Sequence, residues 1–160
     1  MVKRIGSIVF IVLLFVLFVF GYIKKDKLNN FVSEKMKTEG GIETKLTSEE
    51  FISSHFNYVQ NGENYEFTLL EFGSTGCTIC KQMDTVLDEI RKSKSNKINV
   101  VFLHTMNPEN QDLIKYFGIS AIPMQVLLDK NGKVFFKNYG FISAQDIYAK
   151  TAEKLSNNKS

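Results

Sequence analysis

The sequence has no tryptophan and only two cysteines, two prolines and two histidines among its 160 residues. Two cysteines exclude a multi-bridge disulfide scaffold. They supply at most half a zinc shell, and the two histidines lie far from them without ligand spacing, so no metal site is expected. No cofactor-binding pattern is present. The net charge of +3 is small and scattered, and no Lys/Arg block stands beside stacking aromatics, which sets nucleic acid aside as a partner. The apolar N-terminal run carries no A-x-A-like cleavage site and no cysteine for lipidation, which argues against a removed signal peptide.

That run is the first positive feature. After a basic start (residues 1–4), residues 5–23 contain no charge and are mostly Val, Ile, Leu and Phe. At about 1.5 Å per residue they are just long enough for a bilayer core of roughly 30 Å, so an uncleaved transmembrane signal anchor is expected. Lys3 and Arg4 stand on one side and Lys24, Lys25 and Lys27 on the other, so charge alone does not orient it. An N-terminal anchor on a small domain usually serves export, which places the domain outside the cytoplasm on a single-pass cell-membrane protein. Residues 24–41 are polar and end in Gly40-Gly41; they read as a mobile, partly helical stalk, with Phe31, Val32 and Met36 as a thin apolar stripe.

The domain follows at residues 42–156, with a polar tail at 157–160. Residues 42–46 form a short strand candidate. Thr47-Ser48-Glu49-Glu50 has the form of a capping box and opens a helix with Phe51, Ile52, His55, Phe56 and Val59 on one face; His55 is expected to pack there. Asn61-Gly62 ends it. Residues 65–72 are a strand buried on both faces. A helix runs from Cys77 to about Lys94, with Met83, Val86, Leu87 and Ile90 inward. Residues 98–104 are a third buried strand. Asn107-Pro108 starts a helix to Phe117, closed by Gly118. Residues 123–129 and 133–137 form a hairpin about Asn131-Gly132, and Ser143 to Asp146 opens a last helix with Ile147 and Leu155 inward. The order β-α-β-α-β-α-β-β-α is an α/β sandwich around a mixed sheet flanked by helices.

At the centre lies Gly76-Cys77-Thr78-Ile79-Cys80, following a buried strand and opening a helix. Two thiols on one helical turn are able to close a disulfide, and the helix N-terminus favours the thiolate of the first. Cys77 is therefore the candidate nucleophile, with Gly76 leaving its sulfur approachable, and Cys80 the resolving thiol. A purely structural bridge is the bland alternative, but so short a loop is a poor staple. Glu71 inside a buried strand is costly unless neutral or hydrogen-bonded; burial raises its pKa, and behind Cys80 it is placed to take that thiol's proton.

With these residues in these places, the chain over about 42–156 resembles the thioredoxin family. Lys81 follows the second cysteine as in thioredoxins, and Glu71 stands where the family keeps a buried acid. Ile122-Pro123 stands where it has an apolar residue before a cis-proline facing the cysteines. Gly140 matches the glycine beside the substrate groove. The resemblance implies a thioredoxin fold, a redox-active Cys77–Cys80 disulfide, and substrate binding by Gly76, Thr78, Ile79, Ile122, Pro123 and Gly140, with the Ile122 backbone pairing an extended client. Departures are the missing Trp-Cys-Gly-Pro-Cys, an apolar position near Val101 where many members have lysine, and Thr85 in place of a kinking proline. Thr78-Ile79 lacks the histidine of strong oxidants, and the insertions of disulfide-forming and cytochrome-maturation relatives are absent. The expectation is a membrane-tethered, monomeric protein-disulfide reductase acting on exported proteins and fed by a membrane electron donor. A non-catalytic redox-sensing or binding module, and a disulfide oxidase or isomerase, are the alternatives.

Overall fold

The computed structural model describes residues 2–93 and 97–157, apart from the side chains of residues 2–9, 17, 20, 22, 23, 25 and 26. The order is α1 (Val2–Glu39), α2 (Gly41–Phe56), the single turn α3 (Tyr58–Asn61), β1 (Phe67–Gly73), α4 (Thr78–Lys92), β2 (Ile98–His104), a 3-10 turn (Pro108–Asn110), α5 (Gln111–Phe117), β3 (Met124–Asp129), β4 (Val134–Tyr139) and α6 (Ala144–Asn157). The sheet runs β2-β1-β3-β4. β1 pairs parallel with β2 and antiparallel with β3, and β3 pairs antiparallel with β4.

The sheet is mixed because of how its strands are joined. α4 carries the chain back from β1 to the parallel β2, whereas the tight turn at Asn131-Gly132 makes β3 and β4 antiparallel. Gly132 has φ +74, and the Asp129 carboxylate accepts from the amides of Asn131 and Lys133 at 3.0 and 3.1 Å. Two cores flank the sheet. One gathers Ile52, Phe56, Phe72, Phe117 and Val126 under α2 and α5; the other gathers Leu69, Met83, Leu87, Leu127 and Ile147 under α4 and α6.

Several expectations are corrected. Residues 42–46 are not a strand: α2 runs through them from Gly41, and Thr47 to Glu50 lie inside the helix rather than capping it. Ser48, Ile52 and Phe56 recur at helical spacing and are buried, whereas Ile42 and Leu46 are exposed; a short apolar run does not by itself separate the two periods. His55 is exposed, not packed in the core, and stacks on Phe51 with ring centroids 4.1 Å apart. β2 is an edge strand, so only Ile98 and Leu103 are buried along it. Leu155 is exposed, because α6 turns its Ala144–Ile147–Thr151 face inward instead. α4 ends at Lys92; Lys94, like the tail residues 158–160 and Met1, lies outside the described residues.

The segment expected to be a mobile stalk contains the end of α1, which lies against the domain. Ser33 is buried, and Met36 packs on the first core. Gly118, with φ +66, leaves no room for a Cβ beside Ser33. Among the described residues no helix is long and apolar enough to cross a membrane, so the expected transmembrane anchor at 5–23 finds no support there. Several side chains of that stretch lie outside the described ones.

Candidate active site

β1 ends at Gly73, and the loop Ser74-Thr75-Gly76 delivers Cys77 as the N-cap of α4. Its sulfur accepts from the Cys80 amide at 3.2 Å, satisfying one of the free N–H groups of the first turn. Cys77 is half-buried and Cys80 almost fully buried. The two are joined in a disulfide with Cα atoms 5.2 Å apart. No acid lies in the first turn of α4, so the positive end of the helix dipole acts on Cys77 unopposed from within the helix. Thr78 and Ile79 point outward, and nothing crowds the position of a Cβ on Gly76.

Ile122-Pro123 is a cis peptide. Phe72 pairs with Met124, so Pro123 lies just beyond the paired residues, at the sheet end where β1 leads into Cys77. The Gly140 amide donates to the Pro123 carbonyl at 2.9 Å, and φ +86 at Gly140 makes this the place where β4 turns away. Ile122 is half-buried, and among the described residues its backbone N–H and C=O make no hydrogen bond to other backbone groups. The tertiary structure therefore brings Gly76, Cys77, Thr78, Ile79, Cys80, Ile122, Pro123 and Gly140 to one end of the sheet.

Glu71 lies beneath them. Residues two apart share a face of a strand, so Glu71 is on the face of Gly73, where a Cβ would stand 3.4 Å from the Cys80 sulfur. The carboxyl is fully buried, and among the described residues neither oxygen has an aligned hydrogen-bond partner. Burial pushes its pKa up to about 7; the Gln125 amide opposes the rise and the Asp84 carboxylate adds to it. In register, Glu71 faces Phe102 on β2 and Gln125 on β3, so an apolar ring stands on one side and a neutral amide on the other. A cleft of about 290 Å³ lined by Cys80, Lys81, Asp84 and Phe102 reaches this region from the surface.

Gln125 is the residue that sequence reasoning passed over. It is fully buried, and its Oε1 accepts from Asn138 Nδ2 at 2.8 Å; Asn138 also donates to the Gly140 carbonyl at 3.2 Å. That bond fixes which end of the amide is the acceptor. Nε2 is left without an aligned partner, although it lies near enough to Glu71 to pull the pKa of the acid down. The signal was available: Gln125 is a lone polar residue in an apolar strand, the same anomaly that marks Glu71. Among the described residues no cluster of side chains is arranged to hold a metal ion.

The thioredoxin-like domain family matches residues 57–154. Thioredoxin from Alicyclobacillus acidocaldarius is 27% identical over 99 residues, covering 62% of this chain and 91% of that protein. The chloroplast thioredoxin-like protein HCF164 of Arabidopsis thaliana is 27% identical over 105 residues, 66% of this chain but only 38% of that one. The chain thus spans well under half of the chloroplast relative. Among solved structures, the exposed lipoprotein thioredoxin Etrx1 of Streptococcus pneumoniae superposes with a TM-score of 0.51 at 20% identity, covering 56% of this chain and 86% of that one. This likeness concerns the fold.

Proposed function

The chain belongs to the thioredoxin-like family, and from that premise we propose that it is a membrane-tethered protein-disulfide reductase acting on exported proteins. The observation that carries the reading is the closed Cys77–Cys80 pair, one sulfur at the tip of α4 and the other buried over Gly73, with the Ile122–Pro123 loop at the same sheet end.

In the reduced state the Cys77 thiolate attacks a client disulfide, forming a mixed disulfide and expelling one client thiolate, which takes up a proton. Cys80 then loses its proton and attacks Cys77. The client leaves as a dithiol and the Cys77–Cys80 disulfide re-forms, so two electrons have passed to the client. Cys80 is buried and needs a nearby acceptor for its proton. Glu71, with a pKa near 7, is matched to that role at neutral pH. The unpaired backbone of Ile122 offers an edge on which an extended client segment pairs. A dithiol of a membrane protein then restores the reduced pair.

The tether rests on residues 5–23 and on the exposed side chains of Phe10, Ile11, Leu13, Leu14, Phe15 and Phe18, which no other part of the described chain covers. Such a contiguous apolar surface is what a bilayer accommodates and water does not. An alkaline-phosphatase fusion after residue 41 tests the side: an active fusion supports the extracytoplasmic placement, and an inactive one puts the domain in the cytosol.

Activity is tested on the full-length protein in detergent by reduction of insulin with dithiothreitol. Turnover above background that is lost in Cys77→Ser supports the enzyme; no turnover leaves a binding or sensing module. Equilibration with glutathione gives the direction: a potential near about −270 mV marks a reductant and one near −120 mV an oxidant.

A further inference from the structure

We propose that the cleft between the end of α1, the start of α2, the end of α5 and β4 binds a free monocarboxylate with an apolar chain, of the class of a medium-chain fatty acid. The site is separate from the dithiol and independent of the reaction proposed for it. α1 runs past the dithiol end, where the Asn29 carbonyl accepts from Ser120 Oγ at 3.4 Å and that hydroxyl lies 3.3 Å from Tyr139 Oη at the end of β4. It then crosses Gly118 at the buried Ser33. From there it brings Lys37 to the cleft, which also reaches Val134 at the other end of β4.

The cleft has a volume of about 470 Å³, within the size of small-molecule sites. Tyr116, Phe117 and Val134 give it an apolar lining, and three lysines, Lys37, Lys45 and Lys137, line it as well. Lys137 is the unusual one. It is half-buried; its Nζ donates to the Phe117 carbonyl at 2.7 Å and stands 5.6 Å from the centre of the Phe117 ring. The carbonyl bond closes the last turn of α5 and uses one of the three N–H groups of the ammonium. Among the described residues no carboxylate forms an ion pair with Lys137. Lys37 pairs with Glu34 at 2.5 Å, and Lys45 with Glu49 at 3.9 Å. Three ammonium groups thus share two carboxylates, which leaves one positive charge to be balanced. Burial, with the Lys37 charge adding to it, pushes the pKa of Lys137 down to about 8, and Glu34 opposes the fall. At neutral pH the group is still mostly cationic, in a place where water solvates it poorly.

These features select the ligand. A half-buried cation without a counter-ion is costly, and an anion that reaches it offsets part of that cost. The two N–H groups left on Lys137, with Lys37 near it, suit the two oxygens of one carboxylate. Bare phosphate or acetate would leave Tyr116, Phe117 and Val134 uncovered, whereas a hydrocarbon chain buries them. A lipid headgroup is the other source of such an anion. With residues 5–23 in a bilayer, residue 23 is about 21 Å along the helix axis from Lys37, too far for a headgroup at that depth to reach the cleft.

The test uses the full-length chain in phosphatidylcholine vesicles, titrated calorimetrically with octanoate against protein-free vesicles. Saturable binding is expected. Octanol, which keeps the chain, and acetate, which keeps the charge, are each expected to bind about tenfold or more weaker. Lys137→Met and Lys37→Met are each expected to weaken octanoate binding by about tenfold or more. Lys37 is exposed and closes no helix end, so its variant carries the test even where Lys137→Met does not fold. Octanoate is also expected to slow trinitrophenylation of Lys137, read by peptide mass, more than that of the exposed Lys133. No heat above that of protein-free vesicles, octanol or acetate binding as tightly as octanoate, or binding unchanged in Lys37→Met overturns the site. Loss of octanoate binding when phosphatidylglycerol replaces part of the phosphatidylcholine assigns the anion to a lipid and overturns the free carboxylate.

Discussion

Glu71 is the residue where burial, charge and chemistry meet. Its pKa rises from 4.5 to about 7 because the carboxylate is desolvated. Between those values the folded state holds a proton that the unfolded state has lost, so stability falls as pH rises, and the full penalty of about 3 kcal/mol stands above pH 7. Thermal unfolding at pH 5 and pH 8 is expected to show this fall in the wild type and to lose it in Glu71→Gln. The same variant is expected to lose about a hundredfold or more in insulin reduction at neutral pH, the range of a lost general base being about 10² to 10⁴. Gln125→Leu removes the polar neighbour that opposes the rise. Its activity inflection should move to higher pH than in the wild type, whereas an unmoved inflection would show that the amide does not reach the acid.

Between elements, two close approaches govern the packing. A Cβ on Gly118 would overlap the hydroxyl and carbonyl oxygens of Ser33, and φ +66 disfavours an L side chain there in any case. Gly118→Ala is expected to destabilise by about 1–3 kcal/mol and to expose the joint between α1 and α2 to proteolysis, read by denaturant unfolding and limited digestion. At the hairpin, Asp129 holds two amides of the turn and an ion pair with Lys154 at 3.3 Å. Asp129→Ala should cost about 1–2 kcal/mol, mostly through the lost turn bonds, since isolated ion pairs contribute less. Three helix termini of the domain were legible from their caps and glycines, whereas the start of α2 was not. Asn107, Gly118 and Ser143 stand where the side-chain or backbone chemistry of a terminus needs them, and Ser143 Oγ does accept from the Asp146 amide at 3.1 Å. Residues 42–46 were misread because five residues do not display a period.

At the scale of the whole molecule, a helix of 38 residues, about 57 Å long, carries an uncovered apolar surface at one end and packs on the domain at the other. Replacing Leu13 and Leu14 together by lysine should release the protein from carbonate-washed membranes; retention would refute the tether. The domain end of the same helix closes over Gly118 and the first core, so the proposed tether and the fold share one element.

The local chemistry of this protein is written in adjacent residues. The spacing of Cys77 and Cys80, the acid in an apolar strand, the hairpin turn and the apolar run at 5–23 are short-range patterns, and each follows from residue type and period alone. Tertiary structure decided what depends on distance between remote residues. It set Gln125 rather than a cation opposite Glu71, joined Pro123 to Gly140, and ran α1 past the dithiol end. None of these pairs is adjacent in sequence. Register across strands and the packing of a helix on a distant loop are settled only when the whole core closes, because a shift of one residue would turn Glu71 to the other face of β1.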